Sequence, residues 1–219
     1  MLRTFREMLE NHSNRRRIAV RFNSGASRHI PLCHESAEKM IESTYWRQEL
    51  RAELAWLKKH RSYRRWSEKQ LVLYERRLML VAFQVRSLLE RPKANDRARG
   101  ARMPVIRYRK IGGRPFTFIG AGFPEDRFDL NNPEPSELTV VDVCNQLIHY
   151  YWMQTWSEGT AFKGMLVFSD FMRHKWAYEF LIEDLIGLFS IFADDTLTVT
   201  ELSFRWNDKK QDYVAQYAR

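Results

Sequence analysis

Two long segments with apolar residues at intervals of three and four constrain the fold more than any other feature of this sequence. The apolar positions are Met40, Ile41, Trp46, Leu50, Leu54 and Leu57 in residues 33–60, and Leu71, Tyr74, Leu78, Val81, Val85 and Leu88 after Ser67. This spacing places the apolar side chains on one face of a helix. Ser67 and Gln70 form a capping box that begins the second helix, and Pro92 ends it. Because the connection is short, the sequence predicts an antiparallel helical hairpin.

The rest of the chain mixes segments with strand and helix patterns. Strands are predicted at residues 18–22, 105–108, 116–119 and 164–169, helices at 136–156 and 171–193, and a closing hairpin around Asn207 and Asp208. The predicted fold class is α+β and helix-dominated: a basic helical hairpin followed by a small antiparallel sheet with two buried helices. We divide the chain into a basic helical part, residues 1–103, and an α+β part, residues 104–219, and expect the two parts to pack as one compact unit.

Charge is distributed unevenly between the two halves of the chain. Residues 1–110 contain 27 Lys and Arg against 11 Asp and Glu, a net charge of +16. Residues 111–219 contain 9 basic and 16 acidic residues, a net charge of −7. A positive half attracts nucleic acid, an acidic partner or anionic lipid. The alternative is that the acidic half is the intramolecular partner of the basic half.

The bend predicted between the two helices combines basic and aromatic side chains. These are Lys58, Lys59, Arg61, Tyr63, Arg64, Arg65 and Trp66. Basic side chains neutralise phosphates, and exposed rings stack on bases. We therefore favour a nucleic-acid-binding protein, with RNA or a ribonucleoprotein as the partner. The alternative is that Trp66 packs beneath the hairpin and the charged groups are only solvated.

A second candidate site lies on the helix predicted over residues 136–156. Asp142, Asn145, Gln146 and His149 recur at spacings that place them on one helix face. Histidine suits general acid–base catalysis near neutral pH, and an amide such as Asn145 can orient a phosphate or the imidazole. The candidate catalytic residues are therefore His149, Asn145 and Asp142. The alternative is that the polar strip is the solvated face of the helix, with Asp142 favoured near the helix start by the macrodipole.

The Asn145-x-x-x-His149 step on an apolar helix, after a basic helical hairpin, resembles the HEPN group of nucleic-acid-linked helical proteins. Many of these are ribonucleases of toxin or phage-defence systems with an Arg-x(4–6)-His motif, often with a polar residue just after the Arg. Asn145 and His149 match the polar residue and the His, but no Arg stands at the motif position. The resemblance implies a metal-independent ribonuclease, in which His149 is the acid–base residue and Asn145 its helper within a homodimer. Arg86, on the second predicted helix, is a candidate to replace the missing Arg by packing.

Other site chemistry has little support in the sequence. Asp170 and Arg173 follow a predicted buried strand, where loops often carry sites, but Asp170 is better explained as the N-cap of the next helix. No phosphate loop, dinucleotide motif or paired Cys-x-x-Cys is present, so we expect no metal and no cofactor. A second alternative to the nucleic-acid hypothesis is a protein-interaction subunit, in which the acidic C-terminal half and the aromatic helix predicted over 171–193 dock a partner or a second copy.

The cysteine count and the hydropathy pattern predict the compartment. Cys33 and Cys144 lie in different halves of the chain, which suits a reducing environment. The first residues lack the apolar segment of a secretory signal, and no window has the roughly 18 apolar residues that a membrane span needs. We therefore expect a cytoplasmic protein without a membrane partner.

Overall fold

A computed structural model describes residues 19–23, 43–63, 65–90, 93–120, 123–195, 201–209 and 211–217. The described helices are α1 (Thr44–Lys59), α2 (Glu68–Glu90), α3 (Asp96–Arg99), α4 (Val140–Ile148) and α5 (Ile182–Ala193). The described strands are β1 (Ala19–Asn23), β2 (Arg102–Arg109), β3 (Glu134–Thr139), β4 (Tyr150–Glu158), β5 (Ala161–Ser169), β6 (Trp176–Leu181), β7 (Glu201–Asn207) and β8 (Asp212–Tyr217). The chain divides into a smaller unit, residues 1–37 with 197–219, and a larger unit, residues 38–196. Residue 103, where the sequence pattern suggested a boundary, lies within β2.

The helical hairpin predicted from the apolar spacing is present in the larger unit from Thr44 onward, and residues 33–42 of the first predicted helix lie outside the described residues. At its second helix the capping box forms as expected, because the Ser67 amide donates to Gln70 Oε1 at 2.8 Å and the Gln70 amide donates to Ser67 Oγ at 3.3 Å. The side chains that α1 and α2 bury include Leu50, Leu54, Leu57, Tyr74, Leu78, Val81, Val85 and Leu88. These buried residues belong to the two predicted apolar faces.

A five-stranded sheet follows the hairpin in the larger unit. Its strand order is β3-β2-β6-β5-β4, and every neighbouring pair is antiparallel. The two buried helices, α4 and α5, pack against one face of this sheet, and α1 and α2 pack against α4 and α5. The α+β class and the two buried helices are therefore confirmed.

The opposite face of the sheet, which we call the open face, has a smaller apolar cluster. Side chains of a strand alternate between the two faces, so Val167 of β5 enters the helix-side core while its neighbour Phe168 lies on the open face. The connection between β2 and β3 covers part of this face. In it, Phe116 and Phe128 contact the Phe168 ring with centroid distances of 4.7 and 4.9 Å.

Three of the predicted elements are wrong in extent or pairing. The helix predicted over 136–156 is divided into the end of β3, the short helix α4 and most of β4. The helix predicted over 171–193 is a turn, the strand β6 and α5. Both errors have the same cause, because aromatic and apolar residues of β4 and β6 fit a pleated strand as well as a helix face. The predicted hairpin of 105–108 with 116–119 is also wrong, since β2 pairs with β3 and β6.

The smaller unit contains a three-stranded sheet in the order β1-β7-β8. β1 pairs with β7 in parallel, and β7 pairs with β8 as an antiparallel hairpin. The strand predicted at residues 18–22 and the closing hairpin predicted around Asn207 and Asp208 are therefore confirmed. Among the helices in the described part of the chain, none combines the length and the apolar character needed to cross a membrane.

Ion pairs within the larger unit join the basic half of the sequence to its acidic half. In the described residues these pairs are Arg47–Asp195, Arg51–Asp194, Arg61–Glu183, Arg102–Glu137 and Arg107–Glu134. The Arg47–Asp195 pair is buried, and the Arg51–Asp194 pair is exposed. The acidic half thus neutralises part of the positive charge within the chain itself.

Candidate nucleic-acid interface

The loop between α1 and α2, with the last residues of α1, forms the hairpin bend, which we define as residues 58–66. Its backbone is attached to the turn between β4 and β5. The Tyr63 amide donates to the Thr160 carbonyl at 3.2 Å, and the Phe162 amide donates to the Arg61 carbonyl at 2.7 Å. Ser62 Oγ also lies 2.9 Å from Thr160 Oγ1. These contacts fix the position of the bend at one end of the sheet.

The two aromatic residues of the bend have different surroundings. The Trp66 indole N–H donates to the Thr160 carbonyl at 3.1 Å, and its ring lies 5.8 Å from Tyr74 and 5.5 Å from Phe162. Trp66 therefore packs beneath the hairpin, as the alternative interpretation of the sequence proposed. The half-buried Tyr63 ring stands edge-on to Trp66 at 4.8 Å. These contacts hold the Trp66 ring against the hairpin.

The basic residues of the bend divide into paired and unpaired groups. Arg61 is paired with Glu183 at 2.5 Å, and Arg64 lies outside the described residues. Lys58, Lys59 and Arg65 are exposed, and none has a carboxylate partner within the described part of the chain. These three side chains remain available to phosphates.

The polar strip predicted on α4 is divided by the fold. Gln146 is buried, and its Oε1 accepts a 2.5 Å hydrogen bond from Ser169 Oγ of β5. Asp142 instead binds the residue that caps the helix, because Thr139 Oγ1 donates to Asp142 Oδ2 at 2.6 Å and accepts from the Asp142 amide at 3.2 Å. Asp142 therefore has a structural partner, and Gln146 belongs to the core.

Asn145 and His149 lie at the C-terminal end of α4, where Arg86 approaches from α2. Arg86 Nη1 donates to Asn145 Oδ1, and Arg86 Nε donates to Glu90 at 2.8 Å. Arg86 of α2 therefore contacts Asn145 of α4. His149 is the exposed residue after the last turn of α4, and its ring lies 5.1 Å from the ring of Phe171. The resulting surface combines a guanidinium, an amide and an imidazole.

Cys144, next to Asn145, has no free thiolate at neutral pH. Burial raises the pKa of the Cys144 thiol to about 12. A thiol whose pKa is raised by burial is a weak nucleophile near neutral pH.

A second group of basic residues, which the sequence analysis missed, lies at the other end of the sheet. We call this group, which consists of Arg109, Lys110, Arg114, Arg127 and Lys175, the basic sheet end. Backbone hydrogen bonds bring its segments together, since the Lys110 amide donates to the Lys175 carbonyl at 2.9 Å and the Ile111 amide donates to the Arg127 carbonyl at 2.7 Å. None of its five side chains has a carboxylate partner among the described residues, although Glu125 and Asp126 lie in the same connection. Its members come from three separate segments, residues 109–114, 127 and 175, so the sequence alone does not bring them together.

A cleft of about 400 Å³ opens on the open face between these two ends of the sheet. Its lining includes Tyr108, Leu130, Gln154, Trp156, Leu166 and Glu179. The Tyr108 hydroxyl donates to Glu179 Oε2 at 2.5 Å. Burial first, and then this hydrogen bond, raise the pKa of Tyr108 to about 12. The cleft was also missed by the sequence analysis, because its residues come from β2, the β2–β3 connection, β4, β5 and β6.

The described residues contain no group of three or more His, Cys, Asp or Glu side chains arranged to hold a metal ion. Comparisons with protein-family models, with curated proteins and with solved structures found no match for this chain.

Proposed function

We propose that this protein binds single-stranded nucleic acid, with RNA as the expected class, and that the hairpin bend is its main phosphate-contacting surface. The observation that carries the proposal is the group of exposed, unpaired cations at the bend: Lys58, Lys59 and Arg65. Other basic residues, such as Arg47, Arg61 and Arg107, have carboxylate partners within the chain. A phosphate at the bend would therefore not have to displace an internal ion pair.

The rigidity of the bend supports the same proposal. Ordering a flexible basic loop on a ligand costs side-chain and backbone entropy. Here the backbone on either side of Ser62 is already held by hydrogen bonds to the β4–β5 turn. The nearby lysines and arginine therefore extend from a fixed frame, and binding depends on their charge more than on ordering of the loop. A cytoplasmic location, in which Cys144 stays reduced, forms part of the proposal.

Charge reversal tests the proposal directly. Binding of fluorescein-labelled single-stranded RNA is measured by anisotropy over a range of salt concentrations, for the wild type and for the double variant Lys59→Glu with Arg65→Glu. Loss of two phosphate contacts should reduce the slope of log K against log salt by about 1.4. The matched control, Arg97→Glu with Lys209→Glu, changes the net charge equally at two other exposed positions. Equal weakening by both double variants, or salt-insensitive binding, would contradict the proposal.

A second candidate function, a metal-independent HEPN-like ribonuclease, is favoured by one contact. The Arg of the HEPN motif is absent from α4. The guanidinium of Arg86, on α2, instead donates a hydrogen bond to Asn145. An arginine at a phosphodiester stabilises the charge that develops during cleavage, and His149 one turn later would move the proton.

The nuclease hypothesis requires both Arg86 and His149. RNA is incubated with the wild type, Arg86→Ala and His149→Ala in the presence of a chelator, and the products are separated on a gel. Cleavage should be lost in both variants and retained in His174→Ala, which removes another exposed histidine. Cleavage that persists without His149 would rule out this mechanism, whereas binding without cleavage in the wild type would leave only the first proposal.

The interaction-subunit alternative is weakened by the position of the segment expected to dock a partner. Most of α5 is buried within the larger unit, including Leu185, Leu188, Phe189 and Phe192. These residues form part of the core beside the sheet and α1, so α5 does not provide a free docking face.

A further inference from the structure

The cleft on the open face has hydrogen-bonding side chains on either side of an apolar floor. Gln154, Leu166 and Glu179 are direct cross-strand neighbours on β4, β5 and β6. Neighbouring strands are about 4.8 Å apart, so the backbones that carry Gln154 and Glu179 are separated by roughly 10 Å. The side chain of Leu166 lies between them. This arrangement suits a flat ligand that presents polar groups along one edge.

The chemistry of the two polar side chains restricts what that edge contains. An ionised glutamate only accepts hydrogen bonds, while a glutamine amide also donates through its NH₂ group. Tyr108 already donates to Oε2 of Glu179, but Oε1 has no protein donor among the described residues. A complementary ligand therefore presents N–H donors toward Glu179 and an acceptor toward Gln154. An organic cation would pair with the carboxylate of Glu179 but would leave the amide of Gln154 without a hydrogen-bond partner in the ligand.

An aromatic ring forms one wall of the cleft. Trp156 of β4 lies opposite Gly164 of β5, and its ring occupies the space that a side chain at position 164 would fill. A Cβ atom added to Gly164 would lie 2.4 Å from Cζ2 of Trp156. The glycine therefore allows the indole to lie close to the sheet beside the cleft. Stacking of a base on such a ring contributes to single-stranded nucleic-acid binding without restricting the sequence.

We infer that this cleft binds a guanine base of the single-stranded nucleic acid, an inference that rests on the proposed function. Guanine has two adjacent N–H donors, at N1 and at the 2-amino group, beside the O6 acceptor. Glu179 accepts from the donors, Gln154 donates to O6, and Trp156 contacts the face of the ring. Adenine and uracil do not present this combination of groups. The bend would thus supply phosphate contacts and the cleft a preference for one base.

The position of the cleft is compatible with one strand that reaches both surfaces. Thr160, which holds the bend, is six residues from Gln154 along the β4–β5 hairpin. At about 3.3 Å per residue this is roughly 20 Å. A short single strand bound through its phosphates at the bend can therefore place a base in the cleft.

The test compares three fluorescein-labelled RNA decamers with the full-length protein. One is all uridine, one has a single central guanosine, and one has inosine at the same position, which lacks the 2-amino donor. We expect the guanosine decamer to bind about tenfold more tightly than the uridine decamer, the effect of one well-placed bidentate contact, and the inosine decamer to lose most of this gain.

Two variants locate the effect. Glu179→Gln removes the charge but retains the size and one acceptor oxygen, so the sheet should remain intact. Its matched control is Glu137→Gln, an exposed glutamate on the edge strand β3 of the same sheet. Both raise the net charge by one, but Glu137→Gln also releases Arg102 from its ion pair, so the guanosine preference of each variant is taken relative to its own binding of the uridine decamer. Glu179→Gln should abolish the guanosine preference without weakening uridine binding, and Glu137→Gln should retain the preference.

The outcomes separate this inference from the proposed function. If the uridine decamer binds and guanosine adds nothing, the cleft does not bind guanine and the phosphate-binding proposal stands. If the preference survives in Glu179→Gln, the cleft is not its source and the inference is wrong. If neither decamer binds at low salt, both the proposed function and this inference are refuted.

Discussion

Two adjacent aspartates at the end of α5 allow a buried and an exposed ion pair to be compared in one molecule. Asp195 pairs with Arg47 at 3.2 Å, and the two side chains are 1% and 7% exposed. Asp194 pairs with Arg51 at 3.5 Å, and those side chains are 76% and 50% exposed. The substitution to Asn is nearly isosteric in both positions. Any difference between the two variants therefore reports burial rather than residue size.

The structure predicts a large loss of stability for Asp195→Asn. Asp195 Oδ2 also accepts from the Asn95 amide at 3.0 Å, and Oδ1 accepts from the Asn95 side chain. Removing one partner of a buried pair typically costs about 3 to 5 kcal/mol, because the other charge is left uncompensated. Since Asn retains one acceptor oxygen, we expect about 3 kcal/mol. For a chain of this size, that corresponds to a fall in Tm of roughly 6 to 12 °C.

Thermal and urea unfolding followed by circular dichroism measure this difference. Asp194→Asn should lower the free energy of unfolding by less than about 1 kcal/mol, because an exposed pair is screened by water and salt. High salt should reduce the small effect at Asp194 and leave most of the effect at Asp195. If Asp195→Asn costs less than about 1 kcal/mol, or if the two variants are equally destabilised, the reasoning from burial is wrong.

Three further predictions concern the packing and the protonation of single residues. Gly164→Ala should destabilise the protein by about 1 to 3 kcal/mol in urea unfolding, because its Cβ would overlap the Trp156 ring and lie 2.6 Å from a backbone carbonyl oxygen. Gly187→Ala, on α5 where a Cβ meets no other atoms within 4 Å, should stabilise the protein by about 0.5 to 1 kcal/mol in the same assay. The hydrogen bond from Tyr150 to Glu75, together with partial burial, raises the tyrosine pKa from 10.0 to about 12, and Glu75→Gln should lower the pKa in an ultraviolet titration of tyrosinate.

The raised pKa of Tyr150 determines how the contact with Glu75 changes the stability of the fold with pH. A hydroxyl whose pKa is higher in the folded state holds its proton more tightly there than in the unfolded chain. The contact with Glu75 therefore stabilises the fold fully below pH 10 and is lost as the pH rises toward 12. An unchanged tyrosinate titration in Glu75→Gln would show that this contact does not hold the proton.

For the two glycine substitutions, changes in the free energy of unfolding of the same sign would contradict the packing argument.

The local parts of the fold could be predicted from the sequence, and the long-range pairing could not. The helical hairpin was recognisable because the spacing of Leu78, Val81 and Val85, with the Ser67 cap, depends on neighbouring residues alone. The strand β6 was not recognised, since its partner β2 is distant in sequence and its partner β5 is separated from it by the turn over residues 170–175. A short segment such as Trp176–Leu181, with Glu179 among aromatic and apolar residues, fits either structure until its partners are known.

The candidate surfaces show the same division between local and distant information. Lys58 and Lys59 were identified because the basic run at the bend is continuous in sequence. The packing of Trp66 beneath that run could not be deduced, because it depends on Phe162, nearly one hundred residues later. The cleft and the basic sheet end were invisible for the same reason, since each combines residues from several strands or loops.

The location of the bend and the basic sheet end at opposite ends of one sheet sets a length scale for any polyanion. The nine residues of β5 run between these ends and span about 30 Å. A polyanion shorter than about 30 Å contacts one end of the sheet at a time, whereas a longer nucleic-acid strand can contact both ends. The second contact is then intramolecular and benefits from a high effective concentration. Affinity should therefore rise in a step, rather than gradually, once the contour length of the strand exceeds that distance.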